Sequence, residues 1–111
     1  PTYPDGLDVE VFSFSALEAA WKNAKTGSEK EHVTPYMYMS GRLRVKNVES
    51  KDDNSNLRFT LDRPEDLIFL NRLIELSGKK YDIDSLINTA KSNSHILNIN
   101  HHIKRNENLK L

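Results

Sequence analysis

The chain has 111 residues, which is the size of one small domain or of half of a larger one. Its 16 Lys and Arg residues are balanced by 16 Asp and Glu residues, so it lacks the basic excess of a nucleic-acid binder or a polybasic membrane anchor. The absence of Cys excludes disulfides, cysteine zinc sites and thiol nucleophiles, and no apolar run approaches the roughly 20 residues of a membrane span.

The start of the chain has neither the basic stretch nor the apolar stretch that directs secretion, and it begins with Pro1 rather than Met. We therefore expect a cytoplasmic protein. The initial proline indicates a fragment, and we expect residues 1–111 to form a single domain or a half-domain.

The first predicted elements are a strand and a helix. Residues 6–12 alternate apolar and acidic side chains, which is typical of a strand or an extended segment. Ser13 or Ser15 can cap a helix that ends near Lys25. The apolar residues of this helix recur at helical spacing, and Trp21 is interpreted as an anchor in the core.

The middle of the chain is predicted to hold a loop, a short helix and two strands. Residues 28–32 form a charged loop, and Pro35 is placed at the first position of a short helix that ends near Gly41. Residues 43–48 alternate again, and residues 57–61 have good β propensity. We expect both of these segments to be strands.

The second half of the chain is predicted to be mainly helical. Asp62 begins a capping-box pattern, with Pro64 in the first turn and Glu65 three residues later. The helix that follows is apolar on a wide arc, which predicts deep packing. Gly78 ends this helix, and Asp82 starts a shorter one.

Asp62 carries the strongest chemical prediction from the residues alone. It lies where a predicted strand meets a helix, and in open α/β sheets ligands gather beyond the carboxyl ends of strands. A carboxylate at this point can hold Mg²⁺, which needs one or two such groups and takes water and phosphate as its other ligands. The alternative is that Asp62 only caps the helix. The neighbouring Asp66 is explained by favourable electrostatics with the helix dipole.

Other candidate groups are weaker. Glu31 and His32 can support acid–base chemistry or bind a substrate, or they can be a solvated part of a loop. Adjacent His101 and His102 would point in different directions on a strand, so a paired metal site is not expected. The chain has no Ser–His–Asp arrangement, phosphate-binding loop or dinucleotide fingerprint, and no catalytic residue is assigned.

Several segments in a fixed order together resemble one family. They are residues 6–12, the helix that bears Trp21, the motif Glu31-His32-Val33-Thr34-Pro35-Tyr36, residues 58–67, and the polar tail with Arg105-Asn106-Glu107. This order resembles the C-terminal half of the cytidylyltransferases associated with spore-coat polysaccharide biosynthesis. These are relatives of the CMP-sialic acid and CMP-ketodeoxyoctonate synthetases.

The resemblance implies an α/β fold, namely the C-terminal portion of a nucleotide-diphospho-sugar-transferase-like three-layer sandwich with a mixed sheet. It also implies Mg²⁺-dependent transfer of CMP from CTP to a sugar, with release of pyrophosphate, for surface polysaccharide biosynthesis. By motif, Asp62 matches a metal-binding Asp of the family. Asp8, Glu10 and His32 fall in motifs near the sugar side of the cleft and are assigned to substrate binding. The implied partners are CTP, the sugar and a second copy of the chain in a homo-oligomer.

The sequence departs from the family pattern in three ways. Lys30 stands where Arg is usual, and Arg63 stands where a small residue is usual. The N-terminal half of the family, with its nucleotide-binding loop and other metal-binding Asp, is absent, so we expect this chain to be inactive by itself. Two alternatives stay open: a non-catalytic interaction or oligomerisation module, and part of a glycosyltransferase of similar fold.

Overall fold

The computed structural model describes residues 1–105, and within them the chain is helical. Six helices occur in this range: α1 (Phe14–Asn23), α2 (Gly27–His32), α3 (Pro35–Met39), α4 (Pro64–Ser77), α5 (Ile83–Ser92) and α6 (Ser94–Leu97). The β structure of the same residues consists of one isolated parallel bridge between Asp5 and Arg58.

The described residues divide into two compact units. The large unit contains residues 1–8 and the described residues from 49 onward, and it includes α4, α5 and α6. The small unit contains residues 9–48 and includes α1, α2 and α3.

The core of the large unit forms where α4, α5 and α6 pack on residues 57–59. Phe69 and Leu73 of α4 are buried, and their spacing of four residues places them on one helix face. The Phe59 ring lies 5.6 Å from the Phe69 ring, measured between centroids. The remaining buried apolar residues of this core are Leu57, Ile87, Ala90 and Ile96.

The ends of the helices in the large unit follow local signals. The helix α4 starts at Pro64 and ends at Gly78, which has a left-handed backbone with φ of 60°. At the start of α5, the Asp82 side chain accepts a hydrogen bond from the Ser85 N–H at 2.9 Å. The predicted boundaries at Gly78 and Asp82 are confirmed, whereas the predicted cap of α4 is one residue too early.

Only one face of α4 is deeply packed, so the predicted wide buried arc is wrong. The buried residues recur at intervals of three and four: Asp66, Phe69, Leu73 and Ser77. Leu67 and Ile68 are about half exposed, at 50% and 54%. The narrow buried face includes an acid because Asp66 has buried hydrogen-bond partners, as described below.

The small unit has a smaller core, in which α1 packs on α3. Its buried residues are Ala20, Tyr36 and Met37, and Leu17 and Leu43 are partly buried against them. Trp21 is 78% exposed, so its predicted role as a core anchor is wrong. The small Ala20 faces the core instead, and Trp21 follows it by about 100° around the helix.

Residues 28–32 are helical, in contrast to the predicted loop. Thr26 accepts a hydrogen bond from the Glu29 N–H at 3.2 Å, and Glu29 accepts from the N–H groups of Lys25 and Thr26 at 2.8 and 2.9 Å. These hydrogen bonds from the Thr26 and Lys25 backbone lower the pKa of Glu29. The reciprocal capping box begins α2 at Gly27, three residues beyond the end of α1.

The predicted α/β three-layer sandwich with a mixed sheet is wrong. Residues 6–12 and 43–48 form no strand, and Val9 and Val11 are 84% and 94% exposed. A strand needs a partner for its backbone N–H and C=O groups, and an alternating pattern does not supply one. Among residues 57–61, Arg58 is bridged but no sheet extends from it within residues 1–105.

The longest helix of the described part of the chain is α4, with 14 residues. Within residues 1–105, no helix combines the length and the hydropathy needed to span a bilayer.

Candidate functional site

The N-terminal segment lies beside the segment that leads into α4. The Asp5 N–H donates to the Leu57 C=O at 2.9 Å, and the Phe59 N–H donates to the Asp5 C=O at 2.7 Å. Gly6 permits this approach, since its φ is +96° and a Cβ there would lie 2.7 Å from backbone atoms of Phe59 and Thr60. The pairing places the side chains of Asp5 and Arg58 in contact.

Asp66 is the fully buried centre of this region. Its Oδ1 accepts from Arg58 Nε, and its Oδ2 accepts from Arg58 Nη2, both at 2.9 Å. Asn100 Nδ2 donates to Oδ1 at 3.0 Å, and the N–H groups of Asp62 and Arg63 each donate to Oδ2 at 3.0 Å. Thr60 Oγ1 also donates to Oδ2, at 3.4 Å. One carboxylate therefore organises two neighbouring backbone groups and three side chains.

These contacts decide the charge of Asp66. Burial alone would raise the pKa of Asp66, but the hydrogen bonds from Arg58, Asn100 and the two backbone N–H groups outweigh it and hold the pKa far below its ordinary range. The hydrogen bond to Asp66 also raises the pKa of Arg58. The pair is consequently fully charged at neutral pH.

Two more acids and a second arginine surround the buried pair. Arg58 Nη1 donates to Asp5 Oδ2 at 3.3 Å, and Arg105 Nε lies 3.6 Å from Asp5 Oδ1. Arg105 also forms an ion pair with Asp8. Burial raises the pKa of Asp5, and the charges of Arg105 and Arg58 oppose this rise.

Asp62 lies on the exposed edge of the group. Its Oδ2 accepts from Arg58 Nη2 at 3.4 Å, and its side chain is 65% exposed. The helix cap is at Arg63 rather than Asp62, and Asp66 binds the N–H groups of both residues. The predicted capping role of Asp62 and Glu65 is therefore wrong by one residue, and the Asp62 carboxylate is not used to begin the helix.

The carboxylates of this group outnumber its guanidinium groups. Four carboxylates face two guanidinium groups, which leaves an excess of negative charge; they belong to Asp5, Asp8, Asp62 and Asp66, and to Arg58 and Arg105. Within residues 1–105, no group of three or more His, Cys, Asp or Glu side chains is arranged to hold a metal ion. The metal role of Asp62 stays a prediction from the sequence.

The other predicted substrate-binding residues are divided between the units. Asp8 belongs to the large unit, where it accepts from the Gly6 N–H at 3.3 Å and pairs with Arg105. Glu10 and His32 belong to the small unit, and both are exposed. The structure therefore brings Asp8 and Asp62 to the same charged group.

His32 ends α2 at a strained turn. The Thr34 N–H donates to the His32 C=O at 2.7 Å, and Val33 between them has φ of 64° and ψ of −54°. This is the less common form of γ-turn, and a β-branched residue at positive φ costs about 1–3 kcal/mol. The His32 side chain itself is exposed, and its role in substrate binding stays a prediction.

A groove of about 400 Å³ lies beside this turn in the small unit. It is lined mainly by apolar side chains, with one acid and one base: Leu17, Ala20, Trp21, Ala24, Glu29, Lys30 and Val33. One of these lining residues is Lys30, which stands where the cytidylyltransferases usually have Arg.

The sequence pattern did not identify Arg58, Asp66 and Asn100 as residues of the site. Asp66 stands three residues after the true helix cap, and this spacing is the signal that was available. Asn100 lies 34 residues beyond Asp66, and no local pattern connects them. In the motif at 105–107, Arg105 is described, whereas positions 106 and 107 lie outside the described residues.

Comparison with known proteins finds similarity to an uncharacterized protein. No family model matches the chain, and no solved structure matches it. The chain is similar to an uncharacterized protein of Methanocaldococcus jannaschii, with 36% identity over 104 residues that cover 90% of this chain and 43% of the relative. The chain thus spans less than half the length of the curated relative that it matches.

Proposed function

We propose that this chain is the C-terminal part of a cytoplasmic, Mg²⁺-dependent cytidylyltransferase that transfers CMP from CTP to a sugar for surface polysaccharide biosynthesis. The order of the sequence motifs supports this proposal along nearly the whole chain. The observation that carries it is the setting of Asp62, whose carboxylate is exposed, contacts Arg58 and has no part in capping α4.

In this reaction a sugar hydroxyl attacks the α-phosphate of CTP, and pyrophosphate leaves. Bound Mg²⁺ would offset the negative charge on the phosphate oxygens. Asp62 would supply one oxygen ligand, and Asp66 would hold the Asp62 backbone in place through the hydrogen bond at 3.0 Å. Asp8 would accept a hydrogen bond from a sugar hydroxyl. The sequence resemblance predicts the same role for Glu10 and His32.

The direct test is Asp62→Asn in the complete protein of which this chain would be a part. We expect release of pyrophosphate from CTP, measured with Mg²⁺ and a panel of sugars, to fall by about 100-fold or more, because the variant lacks a charged ligand at the reacting phosphates. Asp84→Asn, the same change at an exposed position early in α5, should leave the rate unchanged. Full activity of Asp62→Asn would remove Asp62 from the mechanism.

A second measurement tests the proposal that the nucleotide site lies mostly outside this chain. Isothermal titration of the 111-residue chain with CTP and Mg²⁺ should show no tight binding. Micromolar binding by this chain alone would contradict the division of the site between two halves.

A second candidate function is self-association, and it is favoured by the apolar surface of the small unit. Apolar side chains with high exposure are Val9, Val11, Phe14, Trp21, Val45 and Val48. Large exposed apolar surface is typical of protein interfaces, and we propose a second copy of the chain as the partner. Light scattering should show a mass that increases with concentration, and a constant monomer mass over a wide range would exclude this function.

A further inference from the structure

We infer that residues 9–12 of one copy of the chain, the acidic segment, pair as a β-strand with residues 44–48 of a second copy, the basic segment. This inference rests on the self-association proposed above and names the surface that forms the contact. Both segments belong to the small unit. Neither contains a helix, a turn or a bend, and neither contains Gly or Pro.

The backbone of the two segments is available for pairing. Within residues 1–105, no N–H or C=O group of residues 9–12 or 44–46 forms a hydrogen bond with another described residue. A row of unpaired backbone groups is a template for a strand of another chain, and the Val and Phe residues of these segments favour strand structure. Each segment can therefore accept a strand from a partner.

The side chains of the two segments are complementary in charge. In the acidic segment Glu10 lies between Val9 and Val11, and in the basic segment Val45 lies between Arg44 and Lys46. All five side chains are exposed, and the exposed fraction is 94% for Val11 and 62% for Val45. Successive side chains of a strand point to opposite faces, so each paired segment would have a charged face and a valine face. Like charges opposite each other are unfavourable, so each segment favours the other over its own copy.

An antiparallel pairing matches these side chains one by one. When Glu10 lies opposite Arg44, Val9 lies opposite Val45, and Lys46 lies diagonally from Glu10. Antiparallel sheets commonly leave one face in water, which suits the charged face of this ribbon. Within residues 1–105, Glu10, Arg44 and Lys46 form no ion pair. A second copy would supply the opposite charge that each of them lacks.

The partner is a second copy because the two segments do not pair within one copy. Among residues 1–105, the one β-bridge joins Asp5 to Arg58, and both of these residues belong to the large unit. In a two-fold dimer each copy contributes both segments, so the pairing forms twice and the assembly closes. Two pairings also matter for stability, since a single two-stranded ribbon is only marginally stable in water.

Reversal of one charge in each segment tests the pairing. Glu10→Lys places two basic side chains opposite each other, and Arg44→Glu places two acidic ones. Each variant alone should raise the dissociation constant of the dimer by about tenfold, because the unfavourable pair occurs twice in a dimer. An equimolar mixture of the two variants should dimerise as tightly as the unmodified chain, since every pair in a mixed dimer joins opposite charges. Analytical ultracentrifugation over a range of concentrations measures these constants.

Glu75→Lys and Arg72→Glu are the matched controls, because they reverse the same charges at exposed positions of α4 in the large unit. They should leave the dissociation constant unchanged, both singly and mixed. Glu10 and Arg44 are exposed, so their variants should fold, and circular dichroism verifies this. Recovery on mixing is not expected if Glu10 only binds a substrate, so the mixture separates the two roles.

Hydrogen exchange of the unmodified chain is a second measurement that needs no variant. As the concentration rises, amides in both segments should exchange more slowly, because strand pairing gives them hydrogen-bond partners. A dimer in which these amides stay unprotected, or a mixture of folded variants that does not recover dimerisation, would overturn the inference and leave self-association through another surface standing. A monomer at every concentration would overturn the inference together with self-association. Neither result bears on the cytidylyltransferase reaction.

Discussion

At the scale of single residues, the main finding is a fully buried acid that remains charged. Asp66 has no exposed surface, yet its contacts with Arg58, Asn100 and two backbone N–H groups outweigh the cost of burial. Charged side chains are rarely buried unless they are paired in this way. Asp66 therefore stabilises the large unit and also fixes the backbone that carries Asp62.

We predict that Asp66→Asn destabilises the chain by about 3–5 kcal/mol, because it leaves the buried Arg58 without its main partner. Urea unfolding, followed by circular dichroism, measures the change. Asp84→Asn is the matched control, since Asp84 is exposed near the start of α5, and it should change stability by less than about 0.5 kcal/mol. Equal stability of the two variants would contradict the central role of Asp66.

The pH dependence of stability follows from the same residue. The folded-state pKa of Asp66 is lowered, so its stabilisation is complete above the ordinary carboxyl pKa of about 4 and is lost as the pH falls toward the folded-state pKa. Asp5 has a raised pKa and acts in the opposite direction, but the shift at Asp66 is larger. Urea unfolding below pH 4 should show a falling free energy, and Asp66→Asn should remove most of this fall. The same decline in both proteins would contradict the assignment.

At the scale of elements, the contact between the N-terminal segment and residues 57–60 depends on one glycine. Gly6 has φ of +96°, and a Cβ at this position would lie 2.7 to 2.8 Å from three backbone atoms. Backbone atoms cannot move aside as a flexible side chain can. The pairing of Asp5 with Arg58 therefore requires glycine at position 6.

We predict that Gly6→Ala destabilises the large unit by at least about 1–3 kcal/mol, from backbone strain and the close contacts together. Gly27→Ala is the matched control, because a Cβ at Gly27, the first residue of α2, would meet no atom of another described segment within 4 Å. Thermal unfolding of both variants measures the difference. If Gly6→Ala melts at the same temperature as the unmodified chain, the contact between the N-terminal segment and residues 57–60 does not require glycine at position 6.

At the scale of the whole molecule, the two units differ in the size of their cores. The large unit buries seven apolar residues in one cluster, and the small unit buries three, counted over residues 1–105. More buried apolar surface gives greater resistance to local opening. The charged group with Asp62 is built on the larger core.

Hydrogen exchange should therefore separate the units. We predict that amides of α4 and α5 exchange much more slowly than those of α1 and α2, because opening the large unit exposes more apolar surface. Exchange followed by NMR measures the protection of each amide. Equal protection in α1 and α4 would indicate that the two units unfold together.

The sequence alone determined the helix boundaries at Pro35, Gly78 and Asp82, because capping and termination depend on residues within about four positions. It also drew attention to Asp62 at a helix start. The metal role of Asp62 stays a prediction.

Tertiary structure decided the remaining features. The predicted strands have no sheet within residues 1–105, and Trp21 lies on the surface although its spacing fits a core face. The link from Arg58 through Asp66 to Asn100 joins residues up to 42 positions apart. Strand pairing and buried ion pairs depend on partners distant in the chain, and only the folded chain brings those partners together.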